Sequence, residues 1–318
     1  MGIAQALFGT VLLYFAAEKV LGEGGDALLW TNLYAASDKL EPTILSLAFV
    51  FLMVGYGTKV GLVPLHNWLP DAHSEGPTPV SAVLSGLLLN VALYALVRCK
   101  VLVDGATHSH LAGYIMMGVG MLSILVAAFS LLRQKDIKRL FSYSSIEHMG
   151  LATFAFGLGG KIATFGALLH MLMHSLAKSS IFFTVGHASQ MHWTQRIDRI
   201  RGLIRGNPLV CWGLILGVMA IVGMPPFGVF TSEFLIITAT MKDAPYMTPF
   251  LLLGLGLAFA ALVGKAQGMV AGEIPEYQKP LKAAHVPVIL HMALVLLIGL
   301  KMPDFLNKWF ELAAELLK

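Results

Sequence analysis

The sequence predicts an all-α polytopic membrane protein of about nine transmembrane helices, and three observations carry that prediction. Of its 318 residues, 57% are hydrophobic and only 13% charged, with mean hydropathy +0.74. The apolar residues gather into runs of about twenty, the length a helix needs to cross a bilayer. The period-2 alternation of an outer-membrane barrel is absent, so helices that satisfy their own backbone in lipid are the remaining solution. This composition excludes an ordinary soluble domain. The net charge of +4 is dispersed over short loops, where it sets topology rather than binding nucleic acid. Cys99 and Cys211 have no metal-ligand spacing and read as small apolar residues. The N-terminus has neither a basic n-region nor a small-residue cleavage site, so no cleaved signal peptide is expected.

In chain order the expected spans are 2–20, 43–66, 79–98, 111–132, 139–157, 162–190, 208–240, 248–270 and 284–301, followed by an amphipathic tail, PDFLNKWFELAAELLK. Alternating sides place Arg133, Lys135, Lys138, Arg139, Arg196, Arg199, Arg201, Arg205, Lys279 and Lys282 together. The opposite side holds Lys19, Lys39, Arg98, Lys100, Lys161, Lys242, Lys301, Lys308 and Lys318, more dispersed. The denser side is expected to be cytoplasmic and the C-terminus periplasmic. Lys265 lies near a helix end and can snorkel. That leaves Lys59, Lys178 and Glu233 as the deep charged residues.

The sixth span organises the rest. In ALLHMLMHSLAKSS, His170, His174 and Lys178 follow one another at intervals of four, which stacks them along one helix face. Ionisable groups inside a span are expensive and mark ion pathways by default. Two spans are interrupted. The second carries Gly55, Gly57 and Gly61 around Lys59, with Pro64 just beyond. The seventh carries Gly223, Pro225, Pro226 and Gly228 just before Glu233. Proline removes a helical hydrogen bond and clashes with the preceding turn, so both helices should break. Broken helices with ionisable residues in two halves point to an inverted-repeat transporter.

The blocks GYGTKVGLVPLHNWLPDAHSEGPTPVSAVLSGLLLNVALYALVR, QKDIKRLFSYSSIEHMG, ALLHMLMHSLAKSSIFF and GMPPFGVFTSEFLII resemble the antiporter-like proton-translocating membrane subunits of complex I and group 4 [NiFe] hydrogenases. MPPFGVFTSEF and ALFGTVLLYFAAE are most similar to the F-type subunit of hydrogenase-4 and formate hydrogenlyase. The resemblance implies a fold of about fourteen helices with two five-helix inverted repeats. This chain would then lack most of the first repeat. Residues 1–105 would be its remainder, 106–275 the second repeat, and 276–318 a C-terminal helix and amphipathic tail, all in one transmembrane domain. The N-terminal shortness implies a truncated or split gene product, or a missing half supplied by another polypeptide.

By the same resemblance, Lys59 corresponds to the lysine of the first broken helix. His170, His174 and Lys178 correspond to the central relay helix, and Glu233 to the terminal carboxylate. Asn90 stands where some members have a lysine joining the halves, so a water-bridged amide is the expectation there. The helix whose glutamate would pair with Lys59 is absent. Glu147 and His148, read as near a helix start, are candidates for proton uptake. Ser145, with Ser142, Ser144, Ser175, Ser179, Ser180 and Thr184, could order water. His66, Asp71 and His73 read as structural or interfacial, and His187 and His192 carry no firm role.

A relay needs groups that neighbours can switch between protonation states; histidine is suited to this, and burial disfavours charged lysine and carboxylate alike. No nucleophile–base pair, phosphate loop, haem or iron-sulfur pattern is present, and the i, i+4 histidines lack a third metal ligand on their helix. The expectation is a non-catalytic proton-pumping subunit in a bacterial inner membrane, binding no cofactor itself. Partner membrane subunits and a peripheral redox arm of hydrogenase or NADH dehydrogenase type would hold nickel-iron and iron-sulfur centres or flavin. The alternatives are a subunit of a multi-subunit sodium/proton antiporter and a structural subunit without transport.

Overall fold

A computed structural model describes residues 2–273 and 285–317. Lys279, Lys282, Lys318 and the boundary expected at 275/276 therefore lie outside the described residues. The described residues form helices α1 (Gly2–Leu21), α2 (Trp30–Ala35), α3 (Pro42–Val60), α4 (Trp68–Glu75) and α5 (Thr78–Val83). A wide turn over Leu84–Leu88 joins α5 to α6 (Leu89–Thr107), followed by α7 (Leu111–Arg133), α8 (Ile137–Leu158) and α9 (Gly160–His192). Then come α10 (Leu203–Gly206), α11 (Pro208–Ile221), α12 (Gly228–Asp243), α13 (Thr248–Val270), α14 (Val286–Leu300) and α15 (Asp304–Leu316).

Every expected span contains a helix, but not every helix is apolar enough to face lipid. Among the described residues six continuous helices pass that test: α1, α3, Thr78–Thr107, α7, α9 and Pro245–Val270. α14 and α15 qualify only together and bend by 76° between them. α8 is long enough but holds Ser142, Ser144, Ser145, Glu147 and His148, all buried. It therefore crosses inside a sheath of other helices rather than against lipid. The seventh expected span divides into α11, of 14 residues, and α12.

The breaks fall at the predicted prolines. α3 ends at Val60, where Gly61 takes a left-handed conformation (φ 82°) that a Cβ would resist, and Pro64 follows in a non-helical connection. Between α11 and α12, Gly223 (φ 67°), Pro225 and Pro226 hold another non-helical stretch. The wide turn at Leu84–Leu88 was not anticipated. Gly86 there lies against Ser175 and Ser179 of α9, so close that a Cβ would sit 2.7 Å from Ser179 Oγ.

α9 is the axle. Its 33 residues span about 50 Å, and it packs against α5, α8, α11, α12, α14 and α15. One apolar cluster gathers α1, α3, α6, α7 and α8; the other gathers α9, α11, α12, α13 and α14. α7 and α8 approach through Gly113 and Gly120 against Gly157 and Gly150, where added Cβ atoms would meet backbone at 2.6–2.9 Å. Outside, residues such as Phe8, Leu87, Val91, Phe129, Phe234 and Ile289 are exposed, as a lipid-facing surface requires.

Four ionisable residues stand elsewhere than expected. Lys100, assigned to a loop, is buried within α6 and paired with Asp104 at 2.6 Å. Lys138, also assigned to a loop, is buried in the first turn of α8, donating to the carbonyls of Ser74 (3.4 Å) and Gly76 (2.9 Å). Glu147 and His148, expected near a helix start, lie mid-helix in α8 and are 1% and 2% exposed. Helix boundaries explain the two lysines: α6 runs past residue 98 and α8 begins at Ile137.

Candidate functional site

The fold assembles a buried polar row from α8, α9 and α12. His170, His174 and Lys178 have no exposed surface, and Glu233 is 9% exposed. The α9 spacing stacks the first three as the sequence indicated. The groups that join them come from the neighbouring helices. His148 Nδ1 lies 3.0 Å from His170 Nε2, and His170 Nδ1 lies 2.9 Å from Ser232 Oγ. His148 Nε2 is 3.4 Å from Glu147 Oε2, and His148 Nδ1 is 4.0 Å from Glu233 Oε1. The His148 ring is also 5.6 Å from that of His174.

This geometry sets what the row can do. A hydrogen bond between two imidazole nitrogens holds one proton, donated by either ring, so the pair has two settings. Ser232 Oγ donates to the Val229 carbonyl at 2.7 Å, so it accepts from His170 Nδ1 in one setting and must turn its one proton from that carbonyl to His170 in the other. Glu147 sits in electrostatic range of Lys178 as well as beside His148. A proton moved between Glu147 and His148 therefore changes the field at Lys178. Lys178 Nζ donates to the Phe141 carbonyl at 2.9 Å. That carbonyl also accepts from Ser145 Oγ (3.1 Å), which bonds Ser85 Oγ at 2.8 Å. Both ring nitrogens of His174 and Glu147 Oε1 are buried without a partner among the described residues. Buried polar atoms seldom remain so, and bridging water would satisfy them.

A cleft of about 20 Å³, room for one water, lies between Glu147, His148, Glu233, Val222 and Leu255. Gly223 makes space for the carboxylate, since a Cβ there would stand 2.0 Å from Glu233 Oε2. His148, His170 and Glu233 bring three possible cation ligands within 4.8 Å of one another. They come from three different helices, so inspection of one helix could not have found the set. Two of the nitrogens already bond each other and Ser232, an arrangement that suits proton transfer.

Lys59 is not part of this row. It is half-buried in a separate groove of about 470 Å³ with Tyr56, Trp30 and Arg98, and among the described residues no carboxylate reaches it. Asn90 bridges helices directly: its Nδ2 donates to the Gly86 and Met171 carbonyls (both 3.2 Å) and to Ser175 Oγ. No titratable group joins the halves there. Sequence reasoning passed over Ser232 altogether, although it directly precedes Glu233. Asp71 pairs with Arg139, His192 bonds the Ala188 carbonyl, and Cys99 and Cys211 are free thiols.

Residues 3–259 match the family described as NADH:quinone oxidoreductase/Mrp antiporter, transmembrane. The chain belongs to this family. Over all 318 residues it is 48% identical to the hydrogenase-4 component F homolog of Methylacidiphilum infernorum (isolate V4), covering 67% of that protein. It is 33% identical over 217 residues, 68% of its own length, to NAD(P)H-quinone oxidoreductase chain 4 of Prochlorococcus marinus (strain MIT 9312), covering 40% of it. The chain thus spans about two thirds of the first relative and less than half of the second. Its fold superposes on a subunit of the archaeal membrane-bound sulfane sulfur reductase with TM-score 0.88 at 25% identity, covering 100% of this chain and 64% of that one. Respiratory complex I from Thermus thermophilus gives 0.85 at 24%, covering 100% and 68%. As a family member, the chain is an antiporter-like membrane subunit related to those of NADH:quinone oxidoreductase, hydrogenase-4 and Mrp-type complexes.

Proposed function

We propose that this chain moves protons across a bacterial inner membrane as a subunit of a redox-driven complex, through Lys178, His174, His170, His148, Glu147 and Glu233. The observation that carries the proposal is the continuous buried contact His148–His170–Ser232 beside two buried carboxylates and a buried lysine. A merely structural histidine pair would not need carboxylates on both sides, each costly to bury. The full-length similarity to a hydrogenase-4 component favours a hydrogenase-type partner over an NADH-type one. Electron transfer, with its nickel-iron, iron-sulfur or flavin groups, would belong to a peripheral arm in partner subunits. Lys59 would act only with a carboxylate brought by another segment or chain. The side bearing Arg133, Lys135 and Arg196 would be cytoplasmic and the C-terminus periplasmic.

The test is purification from native membranes in mild detergent, with dye reduction by hydrogen, formate and NADH and identification of the subunits by mass. Co-purifying hydrogen- or formate-linked activity supports the reading. NADH activity alone would assign a complex I-type partner. An assembly without redox activity whose proton movement requires sodium would replace the reading with a sodium/proton antiporter.

A further inference from the structure

His170, His174, Lys178, Phe182, Gly186 and Gln190 recur every four residues along α9, each step rising about 6 Å and turning about 40° further round the helix, so the series winds along it. The first three are the titratable row. The last two wall a cleft of about 820 Å³, at the end of α9 that leads into the basic loop 193–205, together with Glu75 and Lys138. Phe182 stands between the titratable row and the cleft wall, and its buried phenyl ring cannot carry a proton. At that level another helix supplies a ring that can. His73, from α4, stacks on Phe182 with centroids 4.7 Å apart and planes at 21°.

His73 has no exposed surface, and neither ring nitrogen has a partner among the described residues. A histidine buried only for packing would forfeit about 1–3 kcal/mol for each nitrogen left unsatisfied. The charged and titratable groups around it come from three helices. From α9, Lys178 lies in electrostatic range, as does His174; from α8, Lys138 does. Lys138 is held against α4 by the carbonyls of Ser74 and Gly76. Arg139 of α8 is engaged by Asp71, and Glu75 of α4 faces the cleft.

We propose that His73 is the proton-uptake residue joining this cleft to Lys178. The proposal rests on the proton-carrying role of the α9 row given above. His73 does not itself line the cleft, so a proton from cleft water reaches one ring nitrogen of His73 through an intervening water. The other nitrogen releases its proton, through water, to the neutral amine of Lys178, which becomes ammonium. The ring ends as its other neutral tautomer, and the cleft water is left as hydroxide until solvent reprotonates it.

The experiment compares His73→Ala, His73→Gln and Lys178→Ala in the native assembly reconstituted in vesicles. It reads the initial rate of proton movement across pH, with and without added imidazole, and the co-purified subunits report assembly. His73→Ala is expected to lose proton movement about 100-fold, as removal of an acid–base group does, and to recover it in part with imidazole. His73→Gln, which can hydrogen-bond but not titrate, is expected to lose it without rescue. Should the alanine variant not assemble, the glutamine variant decides the matter: loss supports the role. Wild-type rates in either variant, or loss in His73→Ala that imidazole leaves unchanged, would overturn it. If Lys178→Ala loses proton movement while both His73 variants keep it, only the uptake role fails. If Lys178→Ala also keeps it, the reading of the whole row fails.

Discussion

Gly223→Ala tests the placement of Glu233 without touching a titratable side chain. The added Cβ would lie 2.0 Å from Glu233 Oε2, against ordinary contact from 3.4 Å. The carboxylate oxygen must therefore retreat by about 1.4 Å, the difference between those distances. As the end of a flexible side chain it can do so cheaply, but the approach to His148 Nδ1, now 4.0 Å, changes. Misplacing a reacting group by about 1 Å costs on the order of 100-fold, equivalent to about 2.7 kcal/mol of barrier. The backbone is strained too, since Gly223 has φ 67° and alanine there costs roughly 1–2 kcal/mol. Gly22→Ala isolates that second effect, because Gly22 has φ 80° and nothing within 4 Å of an added Cβ. Both variants should lower the denaturation midpoint of the purified assembly similarly. Only Gly223→Ala should slow proton movement, measured with a pH-sensitive dye in vesicles. Equal proton movement in the two variants would refute the reasoning.

Two further outcomes follow from contacts away from the row. Asn90→Leu removes three hydrogen bonds between the Leu84–Leu88 turn, α6 and α9; a loss of about 1–3 kcal/mol should appear as a lower thermal midpoint of the assembly in detergent. Glu41 caps α3 by accepting from the amides of Thr43 and Ile44, bonds that hold its carboxyl below the ordinary 4.5. A lowered folded-state value stabilises above the unfolded one and is lost as pH falls through the folded one. Glu41→Gln should therefore narrow the gap in thermal midpoint between neutral pH and pH below 4.5.

The parts of this molecule legible in the sequence were those written in local spacing. The i, i+4 row of α9 and the proline and glycine breaks need only helix geometry and proline chemistry, and the structure has them where expected. What the sequence could not place were groups that converge from separate helices. Glu147 and His148 looked peripheral because nothing local in the sequence shows that the polar run of α8 is enclosed by protein. Their value comes from lying opposite His170 and Glu233, which is a tertiary fact. His73 looked structural because only the fold sets it on Phe182. Lys59 was grouped with the row by analogy, and the structure sets it in a different groove. The wide turn at Leu84–Leu88 had one local sign, Ser85-Gly86 inside an apolar run, and its cause is the close packing of Gly86 on α9.

The central claim is that protons cross through this chain's buried row, and Lys178→Ala tests it most directly. Lys178 is fully buried, bonded to the Phe141 carbonyl and in electrostatic range of Glu147. Replacement removes the switchable charge together with a fully buried side chain, so the assembly itself is checked alongside the proton movement. The measurement is protons moved per electron transferred by the reconstituted native assembly, wild type against variant, with subunit content checked by mass. The account predicts an intact assembly in which that ratio falls strongly. An unchanged ratio in an intact assembly would contradict it.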